Sequence, residues 1–136
     1  PDAVAALDDA LRGSRGAAVS VVSIHEVAGV AHFAGVGNVD ARVVNGARTE
    51  HFTPQNGIVG HTMPTLRQAS APWPEYGRLI VHSDGLSSRW RPDAYPGLMT
   101  AHPALIAGVL YPDFGRDRDD VTVLVFAARR PVAGGD

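Results

Sequence analysis

Residues 78–85 read Arg-Leu-Ile-Val-His-Ser-Asp-Gly, an apolar stretch that runs directly into an aspartate and a glycine. The side chains of Leu79–Val81 are typical of a strand inside a sheet. We therefore predict a strand over Arg78–Ser83, whose end carries the carboxylate of Asp84 to the edge of the core. The residues alone leave a second interpretation open, in which Asp84 forms a local turn with its own backbone.

A second acidic site precedes the last apolar stretch of the chain. Asp119 and Asp120 stand directly before Val121–Ala127, which is predicted as a strand. The segment between Asp84 and Asp119 is long enough for a helical crossover that returns the chain beside its starting strand. Carboxylates brought together repel each other unless a cation neutralises them, and magnesium and manganese are the expected ions. Taken alone, Asp119 and Asp120 also fit a solvated loop.

The remaining pattern predicts a helix at each end of a mostly stranded chain. Apolar residues at helical spacing predict one helix over Asp2–Arg12 and another over Pro103–Leu110. The dipeptide Asn45-Gly46 predicts a hairpin turn. Further strands are predicted over Ala17–His25, Val30–Val36, Val39–Val44, Arg48–Phe52 and Leu66–Ala71. This order indicates an α+β fold with a largely antiparallel sheet system.

Composition excludes several classes of protein. The chain has 136 residues, which favours one domain, and no cysteine, which excludes disulfide scaffolds, thiol catalysis and thiolate zinc sites. The net charge of −2 argues against nucleic acid or an anionic membrane as a partner. No apolar run approaches the roughly 20 residues that span a bilayer. We therefore expect a cytoplasmic protein. His82 lies within a predicted strand, and we expect it to have a structural role.

Four motifs in chain order resemble a known family. Each motif is modest alone, but the ordered set is fairly specific and runs over nearly the whole chain. The set resembles the SpoIIE-like branch of the metal-dependent protein serine/threonine phosphatases (the PPM family, with the type 2C phosphatase fold), close to the RsbX type of bacterial stress signalling. The motifs are Ala34–Asn38, Asn56–His61, His82–Leu86 and Arg118–Val125, and the stretch Leu11–Val19 is similar to that branch as well.

The resemblance implies a β-sandwich flanked by helices, with two manganese or magnesium ions at one end of the sheets. It implies that Asp84 and Asp119 are metal ligands that serve catalysis, with Gly85 and Asp120 as further candidates. The implied reaction is hydrolysis of phosphoserine or phosphothreonine by in-line attack of a metal-bound water. The implied substrate is a phosphorylated bacterial regulator of stress or sigma-factor control, such as a member of an anti-sigma pathway.

The sequence departs from the family pattern in two places. The first metal motif of the family, Asp-Gly-x-Gly-His-Gly, is absent and would lie upstream of the opening helix. In the wider family an aspartate that helps to hold a third metal follows the glycine that corresponds to Gly37. Asn38 stands there in this chain, so that third site is not expected.

We therefore interpret residues 1–130 as a partial phosphatase domain, incomplete at its N-terminus, and residues 131–136 as a frayed tail. The chain opens in a helix without an initiator methionine, which favours a fragment of a longer phosphatase. The alternative is a non-catalytic, phosphatase-like binding module that docks a signalling partner. A third hypothesis, a purely structural sandwich, predicts that Asp84 and Asp119 lie far apart.

Overall fold

Two antiparallel sheets and two α-helices make up the protein. The computed structural model describes residues 1–46, 48–116 and 119–128. The helices are α1 (Asp2–Leu11) and α2 (Pro103–Phe114), and the strands are β1 (Val19–His25), β2 (Val30–Val36), β3 (Asp40–Asn45), β4 (Arg48–Phe52), β5 (Ala69–Pro72), β6 (Arg78–His82) and β7 (Val123–Ala127). The first sheet has the order β1-β2-β5 and the second the order β4-β3-β6-β7. This confirms the predicted α+β class, whereas the predicted tail, 131–136, lies outside the described residues.

The two sheets pack face to face, and one helix covers the outer face of each. Between the sheets, the rings of Phe33 and Phe52 stack with their centroids 5.1 Å apart. On the outer face of the first sheet, Val4 of α1 is buried in one cluster with residues of β2. On the outer face of the second sheet, Ile106 and Leu110 of α2 are buried in another. The result is a four-layer sandwich, in which burial of each apolar face stabilises the sheet beneath it.

Several elements differ from their predicted bounds. Helix α2 continues four residues past the predicted end at Leu110, although Pro112 lies within it. The side chain of Phe114 packs against the cluster beneath α2, and this burial offsets the cost of a proline in a helix. The apolar residues of β1 are typical of a strand that is covered on both faces, but every residue in it is half-buried or exposed. Within the described chain β1 is an edge strand, with only β2 beside it.

The loops that follow β2 and β6 meet at one end of the sandwich, where Asn38 is hydrogen-bonded to Asp84. The Asn45-Gly46 hairpin joins β3 to β4, as predicted, and Gly46 adopts a φ of +55°.

None of the helices in the described ranges has the length and apolar character that crossing a membrane requires.

Candidate functional site

The segment after β6 and the segment before β7 are held together by hydrogen bonds. The amide of Ser83 donates to the carbonyl oxygen of Thr122 at 3.1 Å, and the amide of Thr122 donates to Ser83 Oγ at 3.0 Å. Ser83 Oγ donates in turn to the carbonyl oxygen of Asp120 at 3.1 Å. Because Ser83 adjoins Asp84, and Asp120 adjoins Asp119, the structure places these carboxylates on two directly bonded segments. The antiparallel pairing of β6 with β7 sets up this arrangement.

Gly85 lies at the point of closest approach between the two segments. A Cβ atom at this position would overlap the carbonyl oxygen of Asp120, so only glycine fits without a shift. The carbonyl oxygen of Gly85, one of the candidate metal ligands, accepts a hydrogen bond from the amide of Arg116 at 2.8 Å. The contacts of Gly85 therefore assign it a packing role at the junction of the two segments.

The carboxylate of Asp84 has a side-chain partner that sequence reasoning missed. Asn38 Nδ2 donates to Asp84 Oδ2 at 2.6 Å, across 46 positions of the chain. Asn38 follows β2, and the sequence drew attention to it only as a neutral residue in the place of an aspartate. The amide orients the carboxylate and leaves it lone pairs for a cation. Asp119 Oδ1 accepts from the amide of Asp120 at 2.9 Å, and all three aspartates are exposed.

A buried histidine fixes the backbone just before Asp84. The His82 side chain is 2% exposed, with Nδ1 lying 2.9 Å from the carbonyl oxygen of Ser83. Nε2 lies 3.5 Å from Trp90 Nε1, which is a donor only. This geometry assigns the tautomer that is protonated on Nδ1, which donates to Ser83 and accepts from Trp90. The structural role predicted for His82 is therefore confirmed.

Arg42 supports the same region from within the second sheet. Its guanidinium donates to the carbonyl oxygens of Ser88 at 2.7 Å and Trp90 at 3.2 Å. The guanidinium carbon also lies 4.3 Å from the centroid of the Trp90 ring, in cation–π geometry. Burial lowers the pKa of Arg42, and the negative charge of Asp40 raises it. The arginine ties the segment after Asp84 to β3.

A groove of about 500 Å³ opens beside Asn38. Three loops line it, formed by residues 15–18, 37–38 and 56–58. Ala17 and Val59 exchange two backbone hydrogen bonds of 3.0 Å, and Gly37 donates to the carbonyl oxygen of Gln55 at 2.9 Å. These bonds hold the loops in fixed relation to one another. Because Asn38 also bonds to Asp84, the groove adjoins the carboxylate site.

The donor set suits a hard divalent cation. Magnesium is commonly bound by one or two carboxylates, with waters and substrate phosphate oxygens completing its coordination, and Asp84 and Asp119 offer carboxylates of this kind. Within the part of the chain that the structure describes, no group of three or more histidine, aspartate or glutamate side chains is placed to hold a metal. The two carboxylates on their own match a cation that takes most of its ligands from water and phosphate oxygens.

Comparison with solved structures identifies the fold. A chain solved in work on the bacterial stressosome, a modular system adapted to control secondary messenger signalling, has a TM-score of 0.78 and 26% identity, covering 91% of this chain and 65% of that one. RsbX in complex with magnesium matches at a TM-score of 0.70 and 19% identity, covering 90% and 61%. The phosphatase domain of SpoIIE from Bacillus subtilis, presoaked with manganese, matches at 0.68 and 20%, covering 96% and 66%.

The matched structures are longer than this chain, which spans about two thirds of each. No protein-family model matches the sequence, and no curated protein matches it. The likeness to solved structures nevertheless extends over nine tenths of this chain. The resemblance expected from the motifs is therefore confirmed for the fold, and the chain has the PPM-like fold shared by RsbX and the SpoIIE phosphatase domain.

Proposed function

We propose that this chain forms part of a metal-dependent phosphatase that hydrolyses phosphoserine or phosphothreonine on a cytoplasmic bacterial signalling protein. The observation that carries the proposal is the direct bonding between the two segments that bear Asp84 and Asp119, at one end of this sandwich. The magnesium of RsbX and the manganese presoak of SpoIIE support a divalent cation as the cofactor. The proposed substrate is a phosphorylated regulator of stress or sigma-factor control.

Each residue of the site has a distinct part in this proposal. Asp84 and Asp119 hold manganese or magnesium, and Asp120 is a further candidate ligand on the same segment. A cation bound there lowers the pKa of a bound water and neutralises charge on phosphoryl oxygens. Asn38 orients the Asp84 carboxylate, since its amide donates to one carboxylate oxygen. Gly85 allows the two segments to approach closely enough for both carboxylates to serve one site.

The test is hydrolysis of p-nitrophenyl phosphate and of a phosphoserine peptide by the longest chain that the gene encodes, with and without manganese. We expect Asp84→Asn and Asp119→Asn to lower the manganese-dependent rate at least a hundredfold, because an amide is a much poorer ligand than a carboxylate. Asp93→Asn is the matched control, since Asp93 is an exposed aspartate that pairs with Arg91. Full activity in Asp84→Asn would remove Asp84 from the site.

A non-catalytic module that docks a signalling partner is the second candidate function. It is favoured by the finding that, in the described ranges, no three potential ligands gather around one point. Calorimetric titration of this chain with manganese separates the two functions. Binding that disappears in Asp84→Asn supports the phosphatase, whereas a chain that binds a partner but no divalent cation supports the docking module.

A further inference from the structure

We infer that the groove beside Asn38, lined by residues 15–18, 37–38 and 56–58, binds the phosphorylated segment of the substrate protein, with Arg15 contacting the phosphate. We call it the Arg15 groove. The inference rests on the proposed function, since it names where the phosphoserine or phosphothreonine segment lies. Apart from Asn38, it concerns residues that the proposed metal site does not use.

The groove lies beside the proposed metal site. Asn38 lines the groove and also donates a hydrogen bond of 2.6 Å to Asp84 Oδ2. A phosphorylated segment that occupies the groove therefore lies beside the residue that bonds to Asp84. The volume of about 500 Å³ accommodates a short extended segment and is typical of a ligand cleft.

Arg15 supplies the groove with a positive charge. Arg15 is exposed, and among the residues that the structure describes its guanidinium has no ion pair or hydrogen bond. A guanidinium presents a planar fork of donors that matches two phosphate oxygens. Asp84 and Asp119 repel a phosphate dianion when no metal is bound. The cation in the groove that Asn38 lines is therefore the feature that attracts the ligand to this end of the sandwich.

The backbone that carries Arg15 is held in place before any ligand arrives. Ser14 Oγ accepts from the amide of Gly16 at 3.0 Å and donates to the carbonyl oxygen of Leu11 at 2.7 Å. The carbonyl oxygen of Ser14 lies 2.6 Å from His61 Nε2. Because the loop is already ordered, the protein's own share of the entropic cost of binding is mainly the rotamer entropy of the Arg15 side chain.

The walls of the groove suit the main chain of a peptide. Gly16, Gly37 and Gly57 have φ angles of +72°, +105° and +149°, and a Cβ at Gly37 would lie 2.5 Å from the Cβ of Ala18. These glycines let the three loops pack closely against their neighbours. Glycine and alanine make up five of the nine residues that line the groove, so much of its wall is backbone that a peptide can approach. The carboxamide of Asn56 offers both a donor and an acceptor to a peptide bond. These features recognise phosphate and backbone rather than one particular side chain.

The test is an NMR titration of the ¹⁵N-labelled protein, without added metal. The probe is a seven-residue peptide with a central phosphoserine flanked by alanine and glycine, and its unphosphorylated twin is the reference. We expect the phosphopeptide, but not its unphosphorylated twin, to shift the amide signals of Gly16, Gly37, Asn38 and Gly57. Shifts confined to other regions, or equal binding of both peptides, would overturn the inference.

Variants then assign the phosphate contact to Arg15. Arg15→Ala should weaken phosphopeptide binding about tenfold, and Arg15→Lys by less, because lysine keeps the charge but not the fork. Arg48→Ala removes an exposed arginine from β4 and should bind as the wild type does. An unchanged spectrum outside the groove shows that Arg15→Ala is folded. Wild-type affinity in folded Arg15→Ala overturns the inference.

Asp84→Asn separates this inference from the proposed function. It should bind the phosphopeptide without metal at least as tightly as the wild type does, since the phosphate contact belongs to Arg15 and one carboxylate that repels the phosphate is gone. If the protein hydrolyses the peptide with manganese while Arg15→Ala leaves the Michaelis constant unchanged, the groove inference fails alone. If the groove binds the phosphopeptide but manganese supports no hydrolysis, the proposed function fails alone.

Discussion

Replacement of Gly85 by alanine is the sharpest test of how the two acidic segments meet. A Cβ at Gly85 would overlap the carbonyl oxygen of Asp120, lie 2.8 Å from the carbonyl carbon of that residue and lie 3.1 Å from Val121 Cγ2. Two of these three atoms belong to the backbone, which cannot rotate away as a flexible side chain can. The segments must therefore move apart to admit a single methyl group.

The cost of that movement follows from the bonds it strains. Ser83 donates to Thr122 and to Asp120, and the amide of Arg116 donates to the carbonyl oxygen of Gly85. Loss of one or two such bonds costs about 1 kcal/mol each, and the overpacking adds about 1–3 kcal/mol. We expect Gly85→Ala to lower the free energy of unfolding by about 2–5 kcal/mol. For a domain of this size the loss lowers Tm by roughly 7–17 °C.

The measurement is urea unfolding followed by the fluorescence of the buried tryptophans Trp73 and Trp90. Gly108→Ala is the matched control, because Gly108 lies within α2 and nothing lies within 4 Å of its Cβ position. The control should raise the free energy of unfolding by about 0.5–1 kcal/mol, as alanine favours a helix over glycine. If Gly85→Ala unfolds within 0.5 kcal/mol of the wild type, the close approach described here is wrong.

Three further substitutions test the surroundings of the site. Arg42→Met should lower the free energy of unfolding by about 2–4 kcal/mol in urea, because it removes one buried and one half-buried hydrogen bond and a cation–π contact. Asn38→Ala should weaken calorimetric manganese binding about tenfold through the Asp84 carboxylate that it no longer orients, with the free energy of unfolding nearly unchanged. The hydrogen bond and charge of Arg91 lower the pKa of Asp93. This pair therefore stabilises the fold at pH values above the ordinary carboxyl pKa, and the stabilisation is lost as the pH falls through the lowered pKa. In Arg91→Met, an NMR titration should show the pKa of Asp93 rising to its ordinary range.

The predictable part of the fold rests on local signals. The apolar run of β6 and the Asn45-Gly46 turn are decided by residues within a few positions of each other, and both elements form where predicted. Residues 66–68 and 121–122 were predicted as strand but lie outside β5 and β7. Ser83 and Thr122 share one backbone hydrogen bond, but the amide of Thr122 donates to Ser83 Oγ and not to a backbone carbonyl, so the regular ladder ends there.

The less predictable part depends on contacts between distant segments. An arginine in a strand indicates an exposed position, yet Arg42 is only 5% exposed because the segment around Trp90 folds over it. In the same way, the hydrogen bond from Asn38 to Asp84 joins two loops, one that follows β2 in the first sheet and one that follows β6 in the second sheet. No periodicity or propensity encodes such a pair, since only the packing of both sheets brings the two loops to one end.

The arrangement around Asp84 explains how an exposed carboxylate can be positioned by a folded core. Behind it, His82 is buried and bonded to the Ser83 carbonyl, while Arg42 ties the segment after it to β3. Beside it, Asn38 fixes one carboxylate oxygen. The backbone on both sides of Asp84 is therefore set by buried groups, and the side chain by an amide from the other sheet. Because folding already orders the Asp84 side chain, it loses little conformational entropy when it binds a cation. An exposed aspartate held in this way suits the proposed metal site.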